Sequence, residues 1–233
     1  MKKIRDDLRK FFNVHSDRMR RLISGRPDLL WYPVRARLMG FDFNPVMLEE
    51  LGLSSQRSTP YGNSGGPDLN RVLKAIDIPV GSKVLDLGSG KGGAIITLSE
   101  FPFKEIVGVE LSAGLIQIAE ANTLLAGLRH VRFVNADAAT FTDLDNFTHI
   151  YMYHPFPCGV MGAVMVNLAS SLARAERNLT LIYTNPVCHE AIMASGLFEV
   201  DREFNFDENL YQGHKYCVYV HRSGNVSRAL PRG

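Results

Sequence analysis

The sequence predicts a doubly wound α/β fold: a mostly parallel, seven-stranded sheet with a closing antiparallel strand, preceded by an N-terminal helical extension. Short apolar runs alternate with segments of helical periodicity from residue 69 to the short helix expected after Pro186. The last two runs, 198–206 and 215–221, follow each other with only a turn around Gly213 between them. Parallel strands need a crossover helix whereas antiparallel strands need only a turn, so one strand of the sheet is reversed.

The N-terminal part of the chain lacks this alternation and instead repeats apolar residues at helical spacing, as at residues 4–12 and 19–23. Asn44 and Pro45 suit the N-cap and the first position of a further helix that Gly52 would end. Residues 54–68 are rich in Ser, Gly and Pro, which predicts a loop. We therefore predict three parts: a helical extension or lid over 1–57, a Rossmann-like domain over 58–222 and a flexible tail over 223–233.

The elements of the predicted domain follow from its apolar periodicity, and Ser112 is a suitable N-cap for one of the helices. We expect, in chain order, a helix at 69–76, strand 83–87, helix 94–98, strand 105–109, helix 115–125, strands 130–135 and 148–153, helix 160–172, strand 179–183, a short helix after Pro186, and the two closing strands.

Composition narrows the class of protein. Hydrophobic residues make up 45% of the 233 residues and charged residues 21%, and no apolar run reaches the ~18–20 residues of a membrane span. The charged start MKKIRDDLRKFF lacks the apolar stretch of a signal peptide. The odd set of Cys158, Cys188 and Cys217 contains no CxxC pair, which argues against a disulfide framework and a cysteine zinc site. His149 and His189 have no partners at metal spacing, so we predict a cytoplasmic protein without a metal site.

Charge is distributed unevenly along the chain. Residues 1–40 carry eleven Lys/Arg and four Asp/Glu, for a net charge of +7, whereas residues 41–233 carry a net charge of −5. Two interpretations are open: solvated helix faces, or a basic arm that binds an anionic partner or the body of the protein itself.

A glycine-rich tract follows the first predicted strand and reads Asp86-Leu87-Gly88-Ser89-Gly90-Lys91-Gly92-Gly93. Glycines let the backbone turn tightly and let a ligand approach the following helix. The tract also satisfies the G-x-G-x-x-G pattern of dinucleotide binders, and a plain strand–helix turn is a third interpretation.

Three acidic residues at successive strand ends favour another ligand. Asp86 precedes the first glycine by two residues, where a carboxylate attracts an ammonium and repels a pyrophosphate. Glu110 ends the second strand and is placed to accept the hydroxyls of a ribose, and Asp137 follows the third and is placed to accept from an adenine amino group. This set suits a cationic, adenosine-bearing ligand without phosphate, which describes S-adenosylmethionine but not NAD or ATP.

The tracts 84–90, 108–110 and 135–138 resemble those of the class I, Rossmann-like S-adenosylmethionine-dependent methyltransferases, over about residues 58–222. The resemblance implies S-adenosylmethionine as cofactor and S-adenosylhomocysteine as product. It places Asp86 and the glycines at the methionine part, Glu110 at the ribose, and Asp137 with the Ala138 N–H at the adenine. The full implied set of cofactor contacts is Tyr61, Asp86, Gly88, Ser89, Gly90, Gly92, Glu110, Leu111, Asp137 and Ala138.

Two flanking motifs bear on the subfamily. Pro60-Tyr61-Gly62 resembles the Tyr-Gly loop of the non-SET lysine methyltransferases, or is a surface turn. The tract 151–157, YMYHPFP, stands where amine- and amide-methylating members carry Asn/Asp-Pro-Pro-aromatic. His154 and Phe156 depart from that pattern, which argues against an amide or a DNA base as acceptor.

Candidate catalytic residues lie in the same tract. His154, with an ordinary pKa of ~6.5, suits a general base, and Tyr153 is placed to meet an amine acceptor. Each has a structural alternative, a hydrogen bond that shapes the loop or plain packing. Trp31 and Tyr32 either line a lid over the acceptor or pack the N-terminal helices, and Phe156 is a third candidate substrate contact.

The function predicted is transfer of a methyl group from S-adenosylmethionine to a nitrogen or oxygen nucleophile by in-line displacement. A protein lysine or other amine is the first candidate acceptor, a small metabolite the second and nucleic acid the third. Two alternatives from other classes are an NAD(P)-dependent oxidoreductase and a non-catalytic partner subunit with the same fold. The sequence does not identify the acceptor or the oligomeric state.

Overall fold

The sheet has seven strands in the order β3-β2-β1-β4-β5-β7-β6. The computed structural model describes residues 27–206 and 214–224. The first five strands are parallel, and β7 runs antiparallel to both of its neighbours, β5 and β6. The predicted α/β sheet with one reversed closing strand is therefore confirmed. The strands are β1 Lys83–Leu87, β2 Glu105–Glu110, β3 Val131–Asn135, β4 His149–Tyr153, β5 Leu179–Thr184, β6 Glu199–Phe206 and β7 His214–His221.

Helices connect the parallel strands, except β3 and β4, which a loop joins, and they cover both faces of the sheet. Pro67 begins the helix before β1, and the Ser112 hydroxyl accepts from the Leu115 N–H at 3.3 Å, as its predicted role of N-cap requires. Within residues 27–206 and 214–224, no helix is both long and apolar enough to cross a bilayer. The helices are α1 Pro27–Leu38, α2 Pro67–Ala75, α3 Gly93–Leu98, α4 Ala113–Leu125, α5 Cys158–Arg174 and α6 His189–Ala194.

The central strands are buried on both faces, which explains their nearly continuous apolar sequences. Leu85 and Ile150 belong to one core cluster, which the apolar side of α5 completes. Val84 and Ile106 belong to a second cluster on the other face, together with residues of α2 and α3. This packing fixes the carboxyl ends of the strands in one row.

The predicted helix from Asn44 to Gly52 is wrong. Residues 48–52 form turns instead, and Val46 forms a β-bridge with Tyr61. The segment is too short for a stable helix of its own, and extended pairing at Val46 leaves no room for one. The helical periodicity noted at residues 4–12 and 19–23 lies outside the described residues, as does most of the predicted tail.

One disulfide joins Cys158, the first residue of α5, to Cys188, which precedes α6, with a Cα–Cα distance of 5.2 Å. The cysteine count pointed away from such a bond, and that expectation is wrong. Its reason is topological, because β4 and β5 are neighbours and the segments that follow them start side by side. Cys217 is free and buried.

Candidate functional site

A cavity lies at the carboxyl ends of β1 to β4. Strand order reverses between β1 and β4, and such switch points are where open α/β sheets bind ligands. Three sources provide the walls: the glycine tract after β1, the residues after β2, β3 and β4, and residues 51 and 57–64 from before α2.

The glycine tract takes a backbone path that demands glycine. Gly88, Gly90 and Gly92 have φ angles of 82°, 52° and 79°, in the left-handed region. A Cβ on Gly88 would clash with Pro155, and one on Gly90 would lie 2.6 Å from the Tyr61 ring. The tract is thus enclosed between the segment after β4 and the aromatic ring of Tyr61.

We expect Gly90→Ala to destabilise the protein by about 1–2 kcal/mol more than Gly127→Ala does. Both glycines have a positive φ, but a Cβ on Gly127 meets no atom within 4 Å, so the matched variant isolates the contact with Tyr61. Urea unfolding of both variants measures the difference. Equal losses would show that Tyr61 does not rest on the glycine tract.

The backbone N–H groups of the glycine tract already donate hydrogen bonds to other groups of the protein. The N–H groups of Gly88 and Ser89 donate to the Val109 carbonyl at 2.8 and 3.1 Å. The Gly90 N–H donates to Glu110 Oε2 at 2.9 Å, and Oε1 of the same carboxylate accepts from the Ser112 N–H at 2.9 Å. Each carboxylate oxygen keeps a further lone pair, so Glu110 can still accept from a ligand hydroxyl.

Three buried polar atoms around the glycine tract have no hydrogen-bond partner among the described residues: Asp86 Oδ2, Ser89 Oγ and Tyr61 OH. Burial, and then the charge of Glu110, raise the pKa of Asp86 well above its usual range. Burial likewise raises the pKa of Glu110. Unsatisfied buried groups each cost about 1–3 kcal/mol, so this set favours a polar, cationic ligand that would satisfy them.

Asp137 has partners on both carboxylate oxygens. Oδ1 accepts from the Ala139 N–H at 2.8 Å, and Oδ2 forms an ion pair with Arg57. An adenine amino group would share Asp137 with the guanidinium or displace it. Sequence reasoning missed Arg57, because a single arginine in a polar loop carries no motif.

Residues 41–64, here called the strap, cross over the glycine tract before α2 begins. Thr59 anchors the strap to the tract after β4: its N–H donates to the Pro155 carbonyl at 3.1 Å, and its hydroxyl donates to the His154 carbonyl at 2.5 Å. The Tyr61 ring covers Gly90. The predicted Tyr-Gly loop is thus part of the cavity wall.

The segment after β4 forms the opposite wall. His154 has a φ of 36°, and Asn185, at the corresponding end of β5, has one of 50°; among the described residues only these two non-glycines have positive φ. His154 Nδ1 lies 3.4 Å from the Tyr183 hydroxyl. Burial lowers the pKa of His154, which favours a neutral imidazole able to accept a proton.

The structure brings most of the predicted site residues together. Asp86 and Gly92 belong to the glycine tract but do not line the cavity, and neither does His154. The Tyr32 ring packs against Gly66 rather than lining the cavity, and Trp31 lies on α1 with its side chain outside the described set. Within the described ranges no cluster of three His, Cys, Asp or Glu could hold a metal ion. The predicted residues that line the cavity are Tyr61, Gly88, Ser89, Gly90, Glu110, Leu111, Asp137, Ala138, Tyr153 and Phe156.

Part of the chain matches a known protein family. Residues 84–178, from β1 to the residue before β5, match the family described as a methyltransferase domain. Over these residues the chain is similar to that methyltransferase domain. The match covers the strands that supply Asp86, Glu110 and Asp137 but not the strap.

Relatives and solved structures of other methyltransferases are also similar to this chain. The tRNA (guanine-N(7)-)-methyltransferase of Pediococcus pentosaceus is 25% identical over 138 residues, which are 57% of this chain and 60% of that protein. The EEF1A lysine methyltransferase 2 of Homo sapiens is 30% identical over 80 residues, 31% of this chain and 34% of that one. The chain thus spans about 60% and a third of these two relatives. An RNA methyltransferase from Salinibacter ruber, solved in complex with S-adenosyl-L-homocysteine, shares the fold with a TM-score of 0.51, at 19% identity over 72% of this chain and 95% of that one.

Proposed function

We propose that the protein transfers a methyl group from S-adenosylmethionine to a nitrogen or oxygen nucleophile. The observation that carries this proposal is which polar groups of the glycine tract have hydrogen-bond partners and which do not. The amides of Gly88, Ser89 and Gly90 donate to Val109 and Glu110, whereas Oδ2 of the buried Asp86 carboxylate and the Ser89 hydroxyl have no hydrogen-bond partner among the described residues. A pyrophosphate needs free loop amides and no nearby carboxylates; a ligand with an ammonium group needs the reverse.

The residues fit each part of S-adenosylmethionine. Asp86 and Ser89 suit the polar methionine end, and the free lone pairs of Glu110 suit the ribose hydroxyls. Asp137 and the Ala138 N–H suit the adenine edge, provided that Arg57 shares or yields the carboxylate. The same features disfavour the NAD(P)-dependent alternative, because the pyrophosphate would face Asp86 and Glu110 with the loop amides already used.

S-adenosylmethionine, when bound, supplies a methyl carbon on a sulfonium, and its transfer leaves the neutral thioether of S-adenosylhomocysteine. The acceptor lone pair forms the new bond to carbon as the carbon–sulfur bond breaks, and the acceptor's proton leaves to a base or to water. The leaving group needs no acid, so the chain contributes alignment in a closed cavity and a base. His154, which lies between the cavity-lining residues Tyr153 and Pro155, is the base that we propose.

The acceptor side of the cavity, around Tyr153, Pro155, Phe156 and Asn63, carries no formal charge. An amine attacks only as the free base, because the ammonium form has no lone pair, so it would first lose its proton to water or to His154. A protein lysine or other amine is our first proposal for the acceptor and a small metabolite our second. Nucleic acid ranks third, although one relative is named for tRNA and the other for a protein lysine.

Calorimetric titration of the purified chain with S-adenosylmethionine, S-adenosylhomocysteine, NAD and NADP tests the cofactor. We expect binding of the first two alone. Binding of a dinucleotide would support the oxidoreductase alternative. A chain that binds S-adenosylmethionine but does not convert it to S-adenosylhomocysteine would support a non-catalytic partner subunit. The acceptors to be offered are lysine peptides, hydroxyl or amine metabolites, and tRNA.

We expect His154→Asn to lower kcat by about 100-fold or more if the imidazole is the base. Asparagine tolerates a positive φ, so this variant keeps the backbone and removes only the proton acceptor. Since burial lowers the pKa of His154, the wild-type rate should fall as the pH drops through that value, below ~6.5, and the variant should lack this acidic limb. The exposed His130→Asn is the control. An unchanged pH–rate profile would leave His154 a structural residue.

A further inference from the structure

Lys91 is the unexpected residue of the glycine tract. Its side chain is only 2% exposed, although an unpaired buried ammonium is strongly unfavourable. Its neighbours Ser89, Gly90 and Gly93 line the cavity, but Lys91 does not. The Lys91 ammonium therefore points away from the cavity and must have a partner elsewhere in the protein.

The partner of Lys91 comes from the strap, 49 residues earlier in the chain. Lys91 Nζ donates to Asp42 Oδ1 at 2.9 Å. Asn122 of α4 fixes both backbones at this point: its Oδ1 accepts from the Asp42 N–H at 2.9 Å, and its Nδ2 donates to the carbonyls of Asp42 and Lys91 at 3.1 and 2.9 Å. Strap, glycine tract and helix thus meet at one buried junction.

Lys91 also contacts the other end of the strap. Its Nζ lies 5.5 Å from the centroid of the Tyr61 ring, in the range of a cation–π interaction. The Val46–Tyr61 bridge connects the two arms of the strap, and the Tyr61 ring rests on Gly90. One ammonium therefore holds both the start and the end of the segment that covers the cavity.

We propose that Lys91 is a positioning residue, which locks the strap onto the glycine tract through Asp42 and Tyr61 and thereby forms the cofactor-covering wall of the cavity. Lys91 does not contact the ligand in this proposal. Its effect on S-adenosylhomocysteine rests on the proposed function, whereas its effect on the strap does not.

Hydrogen exchange of the ligand-free protein measures the lock directly. The reporters are the Thr59 and Tyr61 amides, which donate to the Pro155 and Val46 carbonyls. We expect Lys91→Met and Asp42→Ala each to speed their exchange by about 10-fold or more, the effect of losing a charge-assisted hydrogen bond. The double variant should exchange no faster than Lys91→Met, because that single variant already removes both contacts of the ammonium, whereas Asp42→Ala removes only the ion pair. Amides of β1 and β2 should be unaffected.

Conservative and matched variants separate positioning from general damage. Asp42→Glu keeps the carboxylate and should retain wild-type exchange. Lys83→Met removes another lysine ion pair, that with Glu105 at the start of β1 and β2, and should leave the strap unchanged. In calorimetry, Lys91→Met should weaken S-adenosylhomocysteine by about 10-fold, and kcat at saturating cofactor should stay near that of the wild type.

Each outcome decides the proposal. Unchanged strap exchange in both single variants, or additive effects in the double variant, would overturn it. Weaker ligand binding in Lys91→Met with unchanged strap exchange would assign Lys91 to the ligand instead. If Lys91→Met does not fold, the comparison of Asp42→Ala with Asp42→Glu decides, since the Asp42 side chain is 44% exposed. If the wild type binds no S-adenosylhomocysteine, the proposed function fails while strap exchange still tests the lock.

Discussion

Replacing Asp86 with asparagine should weaken the binding of S-adenosylhomocysteine by about 1–3 kcal/mol and leave the ligand-free protein at least as stable as the wild type. The carboxylate is buried and one of its oxygens has no partner among the described residues, so its charge is unfavourable until a cation arrives. Glu110→Ala should lose affinity in the same range. It is the less selective test, because Glu110 also accepts from the amides of Gly90 and Ser112.

The dependence on pH gives this prediction a sign. The pKa of Asp86 is raised in the folded protein, so its stabilising contribution is present at acidic pH and is lost as the pH rises through that value. Thermal stability of the ligand-free wild type should therefore fall, relative to that of Asp86→Asn, as the pH rises from the ordinary carboxyl pKa of ~3.9 to the raised pKa of Asp86. Affinity for the cationic ligand should rise over the same interval in the wild type alone, because the ionised carboxylate is the form that binds an ammonium.

Thermal unfolding and calorimetry between about pH 5 and pH 9 measure both quantities. The control is Asp143→Asn, at an exposed position outside the cavity, which should match the wild type throughout. Wild-type affinity in both Asp86→Asn and Glu110→Ala would contradict the assignment of the cofactor site.

Breaking the Cys158–Cys188 bond should lower the free energy of unfolding by about 3.6 kcal/mol, the value expected when a cross-link closes a loop of about 30 residues. Cys158→Ser is the suitable variant, because Cys158 is exposed and serine there removes little packing, whereas Cys188 is buried. Urea unfolding with and without dithiothreitol measures the change.

The reductant should destabilise the wild type and have no effect on Cys158→Ser, which serves as its own control. Alkylation of protein purified without reductant, followed by intact mass measurement, counts the free thiols. One modified thiol after unfolding, that of Cys217, is the expected result, and three would contradict the bond. Since disulfides are rare in reducing compartments, this count also tests the predicted cytoplasmic location.

The fold was predictable because its signals are local. Strands buried on both faces read as apolar runs, and β1 was predicted at its observed bounds, Lys83–Leu87. The acidic residues of the site were recognisable for a related reason, since each lies within two residues of the end of such a run. The helix predicted from Asn44 to Gly52 was wrong. N-cap and stop residues do not suffice for a helix when Val46 within the segment pairs with the backbone of the distant residue Tyr61.

The features that sequence reasoning missed all join distant parts of the chain. The Cys158–Cys188 bond depends on the adjacency of β4 and β5, which no spacing reveals. The pairs Arg57–Asp137 and Lys91–Asp42 depend on the path of the strap, whose composition predicted only a loop. A lysine within a glycine tract looks like a solvated charge until its burial is seen.

The cavity has a floor and a roof of separate origin. The floor consists of strand ends whose neighbours form the core, whereas the strap supplies the roof from residues before the first strand. The family match begins at residue 84 and thus includes the floor without the roof. In the proposed methyl transfer, a change in the roof can therefore alter which acceptor enters the cavity while the sheet stays intact. Exchanging residues 41–64 between chains of this fold would then be a direct route to a new acceptor preference.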